Sequence, residues 1–236
     1  MALSFLSDGK SILYASIRDK QADIYRYDIS SGATTQITNT PESEFSPTLM
    51  PDGKFISVVR VEADSTRRLW KFPLKGGNPQ LILEKNKPVG YHLWIDDHTV
   101  ALFILGTPNT LQIVDLKTGT AEIVANNPGR ILRRIPQQNK FSFVHKITDR
   151  EWVIKAFDPR MRTSASLTPT LSGVEDYAWM PSGLLLMARD SKLFAMVPLK
   201  DKDWREIADF SRAGLKGITR IAVNTKGSRI ALVVRH

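Results

Sequence analysis

The sequence predicts an all-β chain of repeated four-stranded sheets, and two sets of landmarks predict it. The first is a glycine turn: Asp8-Gly9, Asp52-Gly53, Ser182-Gly183 and Lys226-Gly227. Gly9 and Gly53 are 44 residues apart, as are Gly183 and Gly227, and the 130 residues from Gly53 to Gly183 leave room for three periods. Degenerate copies fall in phase at Asp96-Asp97-His98 and Gln137-Gln138-Asn139. The second landmark ends a short run before a turn: Tyr27-Asp28-Ile29, Phe72-Pro73-Leu74, Val114-Asp115-Leu116, Phe157-Asp158-Pro159 and Val197-Pro198-Leu199. These are spaced by 45, 42, 43 and 40 residues. A period of roughly 40–45 residues with four strands in each is the signature of a β-propeller. The expectation is a six-bladed propeller of four-stranded antiparallel blades, the last blade incomplete.

The second repeat is the template. Glu44-Phe45-Ser46-Pro47 and Thr48-Leu49-Met50 lead into Pro51-Asp52-Gly53-Lys54. Proline presets φ, Asp bonds its own backbone, and glycine accepts φ > 0, so this tetrapeptide is a turn. The apolar run Phe55 to Val61, a charged break, the run Leu69 to Leu74, the Lys75-Gly76-Gly77 turn and Gln80 to Leu83 complete it. Phe, Ile and Val suit a pleated, half-buried surface. Phe45-Ser46-Pro47 before Pro51-Asp52-Gly53-Lys54, with Ile24-Tyr25-Arg26-Tyr27-Asp28 before Ser31-Gly32, resembles the WD40-like (PD40) repeat of bacterial TolB-like propellers. The resemblance covers essentially the whole chain and is specific for fold. The repeats around Asp97 and Gln138 depart from the Pro-Asp-Gly pattern.

Taken in order, the first repeat supplies Ala2 to Phe5, Ile12 to Ile17, Asp23 to Ile29 and Thr34 to Thr38. The third supplies Tyr91 to Ile95, Val100 to Leu105, Leu111 to Leu116 and Ala121 to Val124. Val100 to Leu105 is continuously apolar, as a strand covered on both faces should be. The fourth repeat places Phe141 to Lys146, Trp152 to Phe157 and Ala165 to Leu167, with Arg160-Met161-Arg162 in place of the glycine turn. The fifth begins at Asp176-Tyr177-Ala178-Trp179 and continues through Leu184 to Met187, Leu193 to Val197 and Trp204 to Ala208. Phe210 to Lys216 reads as a short helical turn. The sixth has two strands, Ile218 to Val223 and Ile230 to Val234, whose outer edge is expected to be open. The repeats span 2–40, 41–85, 89–126, 129–171, 174–210 and 217–236. No linker or composition shift separates them, so one domain over 1–236 is expected.

Composition bounds the chemistry. The chain has 236 residues, 42% hydrophobic, enough for a sizeable core. It has no cysteine, which excludes disulfides, thiolate metal sites and a cysteine nucleophile. No apolar run approaches a membrane span and no signal peptide leads the chain. TolB-like proteins are exported, so the resemblance implies a periplasmic or secreted protein and a mature or truncated form. The net charge is +9, yet the cations are dispersed, with tight groups only at Arg67-Arg68, Arg130 to Arg134 and Arg160 to Arg162. No helical basic stripe or nucleic-acid motif accompanies them, so solvated surface charge is the reading and nucleic acid is not an expected partner.

Binding groups are expected where each outer strand crosses to the next inner strand, on loops held by a rigid scaffold at the channel mouth. Those crossings carry Glu44, Ser46, Tyr91, His92, Arg130, Arg133, Glu175, Asp176 and Arg220. Mixed arginine and carboxylate groups either pair with one another and pin the blades, or grip a protein, a peptide terminus or a polar saccharide. No catalytic residue, metal or cofactor is expected. There is no Gly-x-Ser-x-Gly elbow, and of the four histidines only His92 lies at a crossing. Glu175 and Asp176 are neighbours in a strand, so they face opposite ways and make no dyad. The five tryptophans read as packing residues, with Trp94 and Trp179 at equivalent places. The functional expectation is a non-catalytic TolB-like binding scaffold in the cell envelope. The alternatives are a propeller polysaccharide lyase or hydrolase, and the propeller part of a prolyl-oligopeptidase-like peptidase, which needs a hydrolase domain besides.

Overall fold

A computed structural model describes residues 3–235. Ala2, expected in the first strand, and the terminal His236 lie outside the described residues. The chain gathers into two compact units, one up to Asn126 and the other from Asn127 on.

The N-terminal unit holds three antiparallel sheets. The first is β1 (Leu3–Phe5), β2 (Ser11–Arg18), β3 (Gln21–Asp28) and β4 (Thr34–Gln36). The second is β5 (Ser43–Leu49), β6 (Phe55–Val61), β7 (Arg67–Pro73) and β8 (Gln80–Leu83). The third is β9 (Val89–Trp94), β10 (Thr99–Ile104), β11 (Thr110–Asp115) and β12 (Ala121–Asn126). Each pairs its strands in sequence order. Leu13 and Ile24 of the first sheet pack on Ile56, Val58 and Phe72 of the second. Val59 and Leu69 of the second pack on Trp94, Val100 and Leu102 of the third. A sheet with both faces covered must be apolar on both, which is why Val100 to Ile104 shows no polar alternation.

The C-terminal unit repeats the plan. Its sheets are β13 (Pro128–Arg134), β14 (Phe141–Lys146), β15 (Trp152–Asp158) and β16 (Thr163–Pro169), then β17 (Tyr177–Trp179), β18 (Leu185–Arg189), β19 (Lys192–Met196) and β20 (Arg205–Asp209). A 3-10 turn at Ser211–Ala213 precedes the pair β21 (Ile218–Val223) and β22 (Ile230–Val234). Ile131, Val144 and Ile154 pack on Tyr177, Leu185 and Met187. Leu186 and Leu193 pack on Ile218 and Ile221. β22 pairs with β21 alone among the described residues. Trp204, expected in the outer strand, stands just before β20 and donates its indole N–H to the Pro169 carbonyl at 3.0 Å.

The turns follow their chemistry. Gly53 and Gly183 adopt φ +67° and +86°, a conformation L side chains rarely hold. Asp28, Asp115 and Asp158, which end the third strands, each accept two backbone N–H bonds from the turn that follows. These bonds hold their carboxyls below the usual range. That explains why the second landmark so often carries Asp. In the fourth repeat Arg162 takes the left-handed position at φ +57° that glycine fills elsewhere.

Candidate functional site

The site is built where first strands begin. In an antiparallel hairpin the start of one strand lies beside the end of the next. Cations end the second strands: Arg60 in β6, Lys146 in β14 and Arg189 in β18, with Arg235 one residue past β22.

In the N-terminal unit Glu44 of β5 faces Arg60 of β6 in register. The Glu44 side chain is fully buried, and its Oε1 accepts a 2.6 Å bond from the Thr40 hydroxyl. Arg60 Nε lies 3.4 Å from the same oxygen, and its Nη2 bonds Glu42. The guanidinium also lies over the Trp70 ring at 4.7 Å. Burial pushes the Glu44 carboxyl up to about 7, against the hydrogen bonds and the Arg60 charge that pull it down. Its Oε2 has no hydrogen-bond partner. Ser46 sits at the β5 bulge with φ +53° and is buried. Tyr91 stands edge-on to Phe103, with ring centroids 5.8 Å apart.

His92 belongs to a different arrangement, which occurs once in each unit. The Ser57 hydroxyl meets His92 Nε2 at 2.7 Å and the Trp94 indole N–H at 2.8 Å. The Ser142 hydroxyl meets the Tyr177 hydroxyl and the Trp179 indole N–H, both at 2.8 Å. In both cases the serine donates to a first-strand carbonyl, of Thr48 and of Arg133. A serine hydroxyl offers one hydrogen and two lone pairs. Ser142 uses all three. The same count at Ser57 makes His92 the Nε2–H tautomer, donating to Ser57. Burial drives the His92 imidazole down to about 3, so it is neutral. His92 is a sheet-to-sheet bond rather than an open mouth residue.

In the C-terminal unit Arg130, Glu175, Asp176 and Arg220 line one cavity of about 250 Å³, together with Arg189 and Arg235. Gly129 sets how closely β13 approaches β14. A Cβ there would meet Val144 Cβ at 2.7 Å, so only glycine allows β13 so close to β14. The Glu175 carboxylate accepts the Arg130 backbone N–H at 3.1 Å and its Nε–H at 3.0 Å, and bonds Lys146. Burial alone would raise the Glu175 carboxyl, but the bonds from Lys146 and Arg130 outweigh it and hold the carboxyl low. Asp176 is buried, and its Oδ1 accepts the Ile221 N–H at 2.7 Å. Its Oδ2 has no hydrogen-bond partner, and Arg220 Nε stands 3.7 Å away, also without one. Burial raises the Asp176 carboxyl to about 6, against the charges of Arg133 and Arg220. Arg133 ties the sheets together, donating to the carbonyls of Tyr177 and Ile221 at 3.3 Å each.

Of the residues singled out in the sequence, four therefore share a cavity and Arg133 clasps the strands of the same unit. Glu44, Ser46, Tyr91 and His92 have separate surroundings in the other unit. Arg60, Arg189 and Arg235 were not singled out. Their signal was available, since the end of a second strand returns to the rim where a first strand begins. Among the described residues no three His, Cys, Asp or Glu side chains converge on a metal position, and no helix is long and apolar enough to cross a membrane.

No protein-family model matches the sequence. Over 77 residues the chain is 32% identical to an uncharacterized protein of Agrobacterium fabrum, covering 33% of this chain and 26% of that protein. Among solved structures it is similar to TolB from Acinetobacter baumannii, with TM-score 0.66 and 16% identity over 87% of this chain. The chain spans 55% of that TolB. A structure assigned as a TolB from Agrobacterium tumefaciens gives TM-score 0.66 and 15% identity over 98% of this chain and 79% of that one. An oligogalacturonate lyase from Vibrio parahaemolyticus gives 0.55 and 15% over 88% of this chain and 77% of that one. At these identities the likeness defines the fold: a TolB-like β-propeller of four-stranded antiparallel sheets.

Proposed function

We propose that the chain is a non-catalytic binding module of TolB-like type that holds a protein partner in the bacterial cell envelope, in the periplasm or outside the cell. The observation that carries this reading is the cavity of the C-terminal unit. It combines a buried carboxylate oxygen without a hydrogen bond with arginines, Arg189 and Arg235, that make no ion pair among the described residues. Charges that only pinned strands would be consumed by one another, as Arg130 and Glu175 are. The TolB structures support the fold half of the reading, which counts the β21–β22 hairpin as the inner half of a sixth blade.

The test is capture from envelope extract with the native chain and with an Arg189→Glu/Arg235→Glu variant. A protein retained by the first and lost by the second, at unchanged melting temperature, supports the reading. Equal capture by both removes the cavity from it.

A second reading is a polysaccharide lyase, favoured by the likeness to oligogalacturonate lyase. Incubation with oligogalacturonate, with and without divalent cation, separates the two. Turnover that Arg220→Lys abolishes would replace the binding module with an enzyme.

A further inference from the structure

We infer that the cavity takes the free C-terminal carboxylate of an extended peptide, with the amide N–H of that last residue bonded to Asp176 Oδ2. This rests on the binding-module reading above and specifies what the partner presents.

The inner wall sets the chemistry. Asp176 Oδ2 and Arg220 Nε form an ion pair at 3.7 Å, too long for a hydrogen bond, and neither atom has a hydrogen-bond partner. The other ends of both side chains are engaged, Oδ1 by the Ile221 N–H and Nη1 by the Thr219 carbonyl at 2.8 Å. Neither group is therefore free to turn away, and both are more than four-fifths buried. A buried polar group left without a bond is costly, so the wall favours a ligand with one donor and one acceptor side by side. The last residue of a peptide carries both on one Cα, its amide N–H and its carboxylate.

The rim sets the charge. Arg189 and Arg235 are exposed and make no ion pair among the described residues. They border the same cavity as Arg220, so the second carboxylate oxygen meets guanidinium groups, the side chain best shaped to grip it. Other ligands fit worse. A fully ionised phosphate group places only acceptors against Asp176. An ammonium suits Asp176 but meets Arg220, Arg189 and Arg235. A neutral sugar supplies donor and acceptor and leaves the rim charge unused. The volume, about 250 Å³, is below the roughly 300–1,000 Å³ of pockets that enclose drug-sized ligands, which suits a chain end rather than a whole molecule.

The experiment titrates the purified chain, followed by NMR, with N-acetyl-Ala-Ala-Ala as the free acid, with the same peptide as its carboxamide, and with glucuronate. The free acid is expected to bind at least roughly tenfold tighter than the carboxamide, the loss of one charge-assisted contact. Arg220→Lys and Arg235→Ala should each weaken the acid by a similar factor. Arg235 is exposed, so its variant should melt as the native chain does and keeps the test valid if the Arg220 variant is unstable. Equal binding of acid and carboxamide, no binding of the acid at millimolar concentration, or tighter binding of glucuronate than of the acid overturns the inference. If extract capture still depends on Arg189 and Arg235 in any of those cases, the binding-module reading survives and only the carboxylate assignment falls.

Discussion

Glu44 in the N-terminal unit and Asp176 in the C-terminal unit face the same difficulty and resolve it differently. Each is a buried carboxylate near the start of a first strand, with one oxygen bonded, the other without a hydrogen bond, and an arginine near. Glu44 is sealed, its arginine comes from the paired strand in register, and Glu42 and Thr40 complete the group. Its remaining oxygen has no hydrogen-bond partner, and burial raises its carboxyl to about 7. Asp176 draws its arginine from the next sheet and borders a cavity. On the proposal above, its remaining oxygen is met by the ligand. A carboxylate beside an arginine thus makes a closed lock where the hairpin pairs with itself and, on the proposal above, a binding site where the two come from different sheets.

The largest effect should come from breaking the lock. Arg60→Ala strands the buried Glu44 and is expected to cost about 3–5 kcal/mol by chemical denaturation, the range for a buried ion pair that loses one partner. If it costs less than about 1 kcal/mol, Glu44 is not locked.

Ser142→Ala removes the acceptor of two donors, the Tyr177 hydroxyl and the Trp179 indole N–H, and should cost about 2–4 kcal/mol. Ser57→Ala should fall in the same range, since its two partners stand in the same relation. A large gap between them would show that the shared geometry is not shared energetics.

Titration sharpens the contrast further. The folded Glu44 carboxyl sits above its ordinary 4.5, so between pH 4.5 and about 7 the folded chain holds a proton that the unfolded chain has released. Stability should therefore fall as pH rises through that window, by up to about 3 kcal/mol. Asp176 acts in the same direction from 3.8 to about 6. Glu44→Gln should flatten the upper part of the profile, and an unchanged slope there would place the proton elsewhere.

The smallest stability effect belongs to the open site. Arg235→Ala should change stability by less than about 0.5 kcal/mol, as exposed substitutions do. A larger loss would make Arg235 a structural group like Arg60.

Much of the fold was legible in the sequence because turn chemistry is local. Gly9, Gly53, Gly183 and Gly227 all take positive φ, and the strands fall between them. Arg130, Glu175, Asp176 and Arg220 share a cavity for the same reason: they lie at chain positions where strands begin. The cations of second-strand ends were missed because pairing register, not spacing along the chain, brings Arg60 to Glu44. The bond of His92 was not legible because its partner Ser57 is 35 residues upstream on another sheet, a relation with no local pattern. Tyr177 and Ser142 repeat that separation of 35, a coincidence visible only once one pair is known.

The clasp made by Arg133 has a consequence for how such a chain changes over generations. Its guanidinium grips the carbonyls of Tyr177 and Ile221, which every residue type offers alike. Side chains along β17 and β21 can thus be exchanged by mutation without disturbing what Arg133 holds. A tie to backbone lets the repeats it joins lose their likeness to one another while keeping their places, as the side-chain bonds of Ser57 and Ser142 do not. That freedom suits a chain whose third and fourth repeats lack the Pro-Asp-Gly turn and still form four-stranded sheets.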